Sequence, residues 1–327
     1  MTQAIQFFIS LILSLAVTLI LEKKYIPALM RIKMGQYILD IGPRWHKSKE
    51  GTPTMGGIFF IGGIFVTFLV LGVYSAVKYG DISSATVLVS AILFGGIGFI
   101  DDFTKFVKKQ NKGLSARAKL ILQFLVTAVF LFVMKIFGFI DTTLDLPFTD
   151  KSIELGVVYY ILSFFFIAFM VNSVNLTDGI DGLAGSVTLV ITLFFSAIAF
   201  KLSDMPFLSL GGATVGALCG FLYYNINPAR IFMGDTGSLF LGGLVVGMAY
   251  KLNSPLIILV AGLWYVIEAV SVVLQVFSFK VFKKRIFKMS PIHHHFEMCS
   301  WTENQIVRRF SLFTALMCIL SYFAFVI

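Results

Sequence analysis

Charge is what this chain has least of. Only 13% of its 327 residues are Asp, Glu, Lys or Arg, about half of the roughly 25% found in soluble domains. With 58% hydrophobic residues and a mean hydropathy of +0.91, too little polar surface is left to cover a water-soluble globule. That excludes a soluble enzyme, a disordered chain and a nucleic-acid-binding module; no nucleic-acid partner is expected. Cysteine is also scarce. Cys219, Cys299 and Cys318 make neither a C-x-x-C pair nor an even framework, which leaves free thiols and no disulfide scaffold. The opening 25 residues lack a basic n-region and a small-residue cleavage site, so they read as a retained first span, not a signal peptide. No strong internal repeat is present, which argues against the inverted-repeat transporter folds.

What is there is a series of apolar runs. A crossing helix needs about 20 mostly apolar residues. The runs 3–21, 56–77, 84–100, 119–139, 156–173, 183–200, 207–224, 237–251, 255–279 and 306–326 predict ten spans in an all-α polytopic membrane protein. The whole chain, 1–327, reads as one transmembrane domain. Of the 26 Lys and Arg residues, 21 fall in segments 22–54, 101–119, 173–182, 225–236 and 280–309. The alternate loops hold only Lys78, Lys135, Lys151, Lys201 and Lys251. Basic loops stay inside, so the first set is expected in the cytoplasm and both termini outside. Gly212, Gly216 and Gly220, and Gly243 with Gly247, recur at four-residue spacing and predict close helix packing. The polar segment 141–154 reads as an outer hairpin or loop.

The few acidic residues are the informative ones. Asp101 and Asp102 follow the third run (FGGIGFIDDFTK), Asp178 and Asp181 close the fifth (NSVNLTDGIDGLAG), and Asp235 precedes the eighth (NINPARIFMGDTGS). All five are expected at one membrane level on the cytoplasmic side. A single aspartate there would be a helix cap or a lysine partner. Five in three loops suggest a divalent-cation site, because Mg²⁺ takes hard oxygen ligands and few carboxylates beside substrate phosphates. Glycine surrounds them in Asp178-Gly179, Asp181-Gly182 and Gly234-Asp235, letting backbone N–H groups approach an anion. Gly96-Ile97-Gly98 is not a dinucleotide fingerprint, since no strand precedes it and the third glycine is missing.

Basic residues fall on the same face: Lys47 and Lys49 in RWHKSKEGTPTMGG, Lys119 at the fourth run, and KVFKKRIFKMSPIHHHFE over 280–297. Topology and anionic headgroups account for most of these charges. They do not account for His293, His294 and His295. Consecutive histidines point in different directions and suit one metal poorly, but can donate N–H groups to phosphate oxygens. Glu268 reads as the one carboxylate inside the membrane. It stands either on an ion or proton pathway or as a structural partner of a neighbouring helix, and the lack of a second intramembrane acid favours the latter. An acidic metal site, a basic rim and glycine turns together point to phosphoryl transfer between a diphosphate and a lipid phosphate.

Five ordered motifs, TPTMGG at 52–57, DDFTK at 101–105, NLTDGIDGLAG at 175–185, NPARIFMGDTGS at 227–238 and SPIHHHFE at 290–297, run nearly end to end. In them the chain resembles the polyprenyl-phosphate N-acetylhexosamine-1-phosphate transferase superfamily, and within it the phospho-N-acetylmuramoyl-pentapeptide transferases. The PTMGG and HHHFE forms favour these over relatives that use UDP-N-acetylglucosamine, which remain the alternative; a lipid-linked or small-solute transporter is the alternative from another class. The resemblance implies a ten-helix homodimeric enzyme of the bacterial cytoplasmic (inner) membrane. It would move phospho-MurNAc-pentapeptide from UDP-MurNAc-pentapeptide to undecaprenyl phosphate, giving lipid I and UMP, with Mg²⁺. By motif, Asp235 would be the Mg²⁺ ligand, with Asp101 and Asp102 beside the acceptor phosphate. Phe232 would stack on uracil, with Asp181, Asn225 and Lys49 at its polar edge. Asn175 and Asp178 would line the nucleotide–sugar region, Lys119 and His293 to His295 would contact phosphates, and Thr54, Gly234, Ser238 and Gln275 would complete the substrate site. A phosphate monoester is mostly a dianion at pH 7, with its second pKa near 6, so direct attack on the donor is favoured over a route through an aspartyl nucleophile.

Overall fold

A backbone in hydrocarbon must satisfy its own hydrogen bonds, so long apolar runs become helices. A computed structural model describes residues 2–31, 49–108, 110, 112–149 and 151–326; Lys47 lies outside the described residues. The chain opens with α1 (Gln3–Arg31). A second rod follows, made of α2 (Gly57–Thr67), a π-helical turn over Phe68–Gly72, and α3 (Val73–Tyr79). Next come α4 (Ser83–Lys108) and α5 (Ala116–Ile136). The polar segment forms a hairpin, β1 (Thr143–Asp145) paired antiparallel with β2 (Ser152–Glu154), Leu144 opposite Ile153. Then come α6 (Val157–Thr177), α7 (Leu183–Leu202), α8 (Met205–Asn225) and α9 (Gly234–Lys251). The apolar run 255–279 is broken at Gly262 into α10 (Ile257–Ala261) and α11 (Leu263–Phe282). A short α12 (Ile292–Glu297) and a long α13 (Glu303–Val326) complete the chain.

Among the described residues, nine helices are long and apolar enough to cross a membrane. The tenth expected run, 237–251, folds as α9 but is not one of the nine. Its first turn is polar and glycine-rich, and it packs along α4, α6 and α2, buried from Thr236 to Tyr250. A helix enclosed by protein needs no lipid-facing apolar surface. Both of its ends are tied. Asp102 accepts hydrogen bonds from Thr236 N (2.9 Å) and Oγ1 (2.8 Å) at the N-terminus. Lys251 pairs with Asp204 (2.6 Å) and Asp81 (3.0 Å) at the C-terminus. Both pairings place charge as the helix dipole favours.

α8 is the other enclosed helix, packed against α1, α7 and α2. Its glycines do what their spacing predicts. A Cβ on Gly216 would lie 2.0 Å from Leu11 O, and one on Gly212 2.5 Å from Phe7 O. On α9, Gly243 and Gly247 meet Phe94 and Val87 of α4 in the same way. The opposed face of α1 carries Gln6, Ser10, Ser14, Thr18 and Glu22 at four-residue spacing, all buried. The expectation that Glu268 is the one buried acid is corrected here: Glu22 is fully buried too, because α1 runs ten residues past the apolar run 3–21 and keeps its phase. The three cysteines are free thiols.

Close packing at Gly216 generates a first prediction. Gly216→Ala forces α1 and α8 apart and is expected to cost about 1–3 kcal/mol, lowering the detergent-solubilised melting temperature by several degrees. Gly96→Ala has open space within 4 Å, and in a helix interior it should be neutral or stabilising. Equal melting temperatures for the two variants would contradict this packing.

Candidate active site

The site is assembled where adjacent helices end together. α4 lies so close to the start of α9 that a Cβ on Gly98 would sit 2.1 Å from Asp235 O. This brings Asp101 and Asp102, one turn further along α4, beneath the first turn of α9. Gly234, at φ +71°, makes the turn into α9; a Cβ there would meet Asp102 Oδ2 at 2.6 Å and Thr54 Oγ1 at 3.0 Å. One carboxylate oxygen from each of Asp101, Asp102 and Asp235 lies within 4.8 Å of the others. Lys105 Nζ stands among them, 2.6 Å from Asp101 Oδ2, 3.0 Å from Asp235 Oδ2 and 3.7 Å from Asp102 Oδ1. Lys119 adds a second ammonium 2.9 Å from Asp235 Oδ2. Asn175, in the last turn of α6, donates to Asp235 Oδ1 (2.8 Å) and to Ser238 Oγ (2.7 Å). Three hard oxygen donors at this spacing fit a divalent cation of the Mg²⁺ type, with Asp235 sharing that role with its two neighbours.

A second cluster lies on the Asp178–Gly182 turn. Asp181 accepts from Lys49 Nζ (2.7 Å), Asn227 Nδ2 (2.9 Å) and Ala229 N (3.0 Å). Glu303, at the start of α13, bonds Lys49 Nζ (2.7 Å) and Asp181 N (2.8 Å). Asn225 is buried and tied to backbone, accepting from Gly182 N (3.0 Å) and donating to Ile231 O (2.8 Å). It fixes the loop that carries Phe232, which is half-buried and hydrogen-bonded through its backbone to Pro53 and Gly56. Burial pushes the Asp178 carboxyl up to about 8, with the charges of Asp235, Asp102 and Asp181 adding to it.

The three histidines point to three different partners. His293 Nδ1 lies 3.0 Å from Glu268 Oε2, His294 pairs with Glu297, and His295 Nδ1 accepts from Lys288 N at 3.1 Å. His293 reaches the aspartate turn: a Cβ on Gly179 would be 2.1 Å from its Nε2. Gln275 is spent elsewhere. Its amide holds the backbone of Ile286 and Phe287, at 2.9 to 3.0 Å, and braces the loop after α11. Two participants were not singled out by sequence. Lys105 stands in the quoted DDFTK motif, four residues after Asp101, the spacing at which helical side chains meet. Glu303 follows a loop in no motif, and only folding brings it to Lys49.

The molecule is a bundle of apolar helices carrying acidic and basic clusters at one end, and comparison with known proteins gives its class as a membrane glycosyl transferase. The family described as Glycosyl transferase family 4 matches residues 84–253, and a phospho-N-acetylmuramoyl-pentapeptide-transferase signature matches residues 49–61. The chain is similar to phospho-N-acetylmuramoyl-pentapeptide-transferases from three bacteria. Identity is 45% to that of Caldicellulosiruptor bescii, covering 96% of this chain and 95% of the relative. It is 44% to that of Clostridium botulinum, with 96% and 95% covered, and 44% to that of Caldanaerobacter subterraneus, with 96% of each covered. The chain belongs to the phospho-N-acetylmuramoyl-pentapeptide transferase family, and it is a phosphoglycosyl transferase.

The environment of Asp178 carries a pH signature. Its carboxyl is neutral in the folded protein up to about pH 8, whereas in the unfolded chain it ionises near 4. Between those values the folded state holds the extra proton, so this group's contribution to stability falls as pH rises. With a chelator present, the melting temperature of Asp178→Asn relative to the native protein should climb from pH 5 to pH 8. A difference that stays flat would show that this carboxyl does not titrate there.

Proposed function

We propose that the protein transfers phospho-MurNAc-pentapeptide from UDP-MurNAc-pentapeptide to undecaprenyl phosphate, giving lipid I and UMP, as one transmembrane unit. The observation that carries the reading is the cluster of Asp101, Asp102 and Asp235 with Lys105 and Lys119 at one end of a lipid-facing bundle. The distribution of Lys and Arg supports a cytoplasmic setting for that end and both termini outside, and the family resemblance adds the bacterial inner membrane and a homodimer.

Asp235, with Asp101 and Asp102 adjoining, would hold Mg²⁺. When bound, the ion neutralises diphosphate oxygens as the phosphoryl group transfers. The remaining steps belong to the chain's own side chains. An oxygen of the acceptor phosphate attacks the phosphorus that bears the sugar; the new P–O bond forms as the bridging P–O bond to UMP breaks. Lys105 and Lys119 stabilise charge spread over the transferring oxygens. Asp101 has both oxygens engaged, Oδ1 by Leu114 N at 2.7 Å and Oδ2 by Lys105. That favours a placing role over that of base or nucleophile, and the acceptor dianion needs neither. The Lys49–Asp181 pair and Phe232 form the uracil side, and Asn175 and Asp178 the region between uracil and metal. An apolar groove of about 380 Å³, lined by Tyr25, Leu29, Met55, Phe59, Phe99 and Phe103, adjoins Thr54 and the aspartate pair along the chain. It supports an acceptor with a hydrocarbon tail.

Purified protein given undecaprenyl phosphate, Mg²⁺ and either UDP-sugar should release UMP from UDP-MurNAc-pentapeptide. Release only from UDP-N-acetylglucosamine would transfer the assignment to that branch of the superfamily. Asp235→Ala should lower turnover at least 10³-fold while the melting temperature changes little. Retained activity would refute the metal assignment.

A further inference from the structure

Glu268 on α11 and His293 on α12 are both wholly buried, and a carboxylate in a membrane-embedded bundle is costly unless bonded. Both Glu268 oxygens are engaged. Oε1 accepts from Trp264 Nε1 at 3.1 Å, and Oε2 lies 3.0 Å from His293 Nδ1. A carboxylate only accepts, so Nδ1 carries the hydrogen and the ring's tautomer and orientation are set. The opposite nitrogen, Nε2, is buried without a hydrogen-bond partner. Leaving such an atom unsatisfied is costly. It rests against Gly179, next to Asp178 in the aspartate turn. One edge of the imidazole is therefore anchored in the bundle while the other lies against that turn.

We infer that Glu268 is a positioning residue for the transfer reaction: through Nδ1 it presents His293 Nε2 to a diphosphate oxygen of the nucleotide donor. The inference rests on the functional reading above and assigns Glu268 a part in it. Trp264 holds the carboxylate from the other side, so it cannot turn away from the ring. With hydrogen on both ring nitrogens, Nδ1–H stays on Glu268 and Nε2–H donates to an anionic oxygen. Carboxylate–histidine units act this way wherever the second nitrogen meets a ligand. Gly179 belongs to the same device, since a side chain there would occupy the place of Nε2.

The test is a double-mutant cycle on the full-length protein in detergent, using UDP-MurNAc-pentapeptide and undecaprenyl phosphate. His293→Ala should lower kcat about 100-fold or more, with KM for the UDP substrate within about threefold of native. Glu268→Ala should lose a comparable factor in kcat, and the double variant should be no slower than His293→Ala. Glu268→Gln, whose carbonyl still accepts from Nδ1, should recover about tenfold over Glu268→Ala. Losses that multiply in the double variant, or a Gln variant no better than Ala, would overturn the inference. A full-rate Glu268→Ala beside an impaired His293→Ala would overturn it alone. An unimpaired His293→Ala would remove His293 from the reaction, and the inference with it. Should Glu268→Ala not accumulate as folded protein, the cycle run with Glu268→Gln decides by the same criterion.

Discussion

A carboxylate at the edge of hydrocarbon must be compensated, and the chemistry of this protein is organised by how its aspartates meet that demand. Asp102 is compensated by a helix N-terminus, through the N–H and hydroxyl of Thr236. Asp101 is compensated by Leu114 N and Lys105, and Asp235 by two lysines and Asn175. These bonds hold the carboxylates within 4.8 Å of each other, a spacing that mutual repulsion would otherwise oppose. An assembly of three carboxylates and two ammonium groups is close to neutral.

Backbone proximity makes that cluster possible. Asp101 and Asp102 reach Asp235 only because α4 has glycine at 95, 98 and, in the following loop, 113, where a Cβ would strike Phe240, Asp235 and Asp101 respectively. α9 is the reference piece: capped by Asp102 at one end, anchored by Lys251 at the other, and buried between. With little side-chain slack around it, small displacements of α4 pass directly to the carboxylates. The glycines of the membrane interior and the charges of the site thus form one mechanical unit.

How much of this was legible in sequence differs by interaction range. The helices followed from the apolar runs, and the hairpin from one polar segment, because both depend on neighbours along the chain. The aspartates stood out because charge is so rare around them. Lys105 was within reach of the same reasoning, being four residues from Asp101 in a helix. Asn225 and Gln275 show what sequence could not: in the fold both brace backbone, at Gly182, Ile231, Ile286 and Phe287. A partner that closes only in three dimensions, such as Glu303 with Lys49, leaves no periodic trace. The run 237–251 was legible as a helix, but only packing shows that protein, not lipid, surrounds α9.

The histidine tripeptide shows how one short element can serve several neighbours. Consecutive residues on a helix are about 100° apart, so His293, His294 and His295 take different partners. They face α11, Glu297 and the Lys288 loop in turn. The His294 pair lies within α12, the His295 contact ties α12 to the Lys288 loop, and the one with Glu268 leaves a ring nitrogen of His293 against the aspartate turn. A repeated residue thereby divides into anchoring and chemical parts. The division is made by the partners: the carboxylate that is most deeply buried selects the histidine whose free nitrogen faces the site.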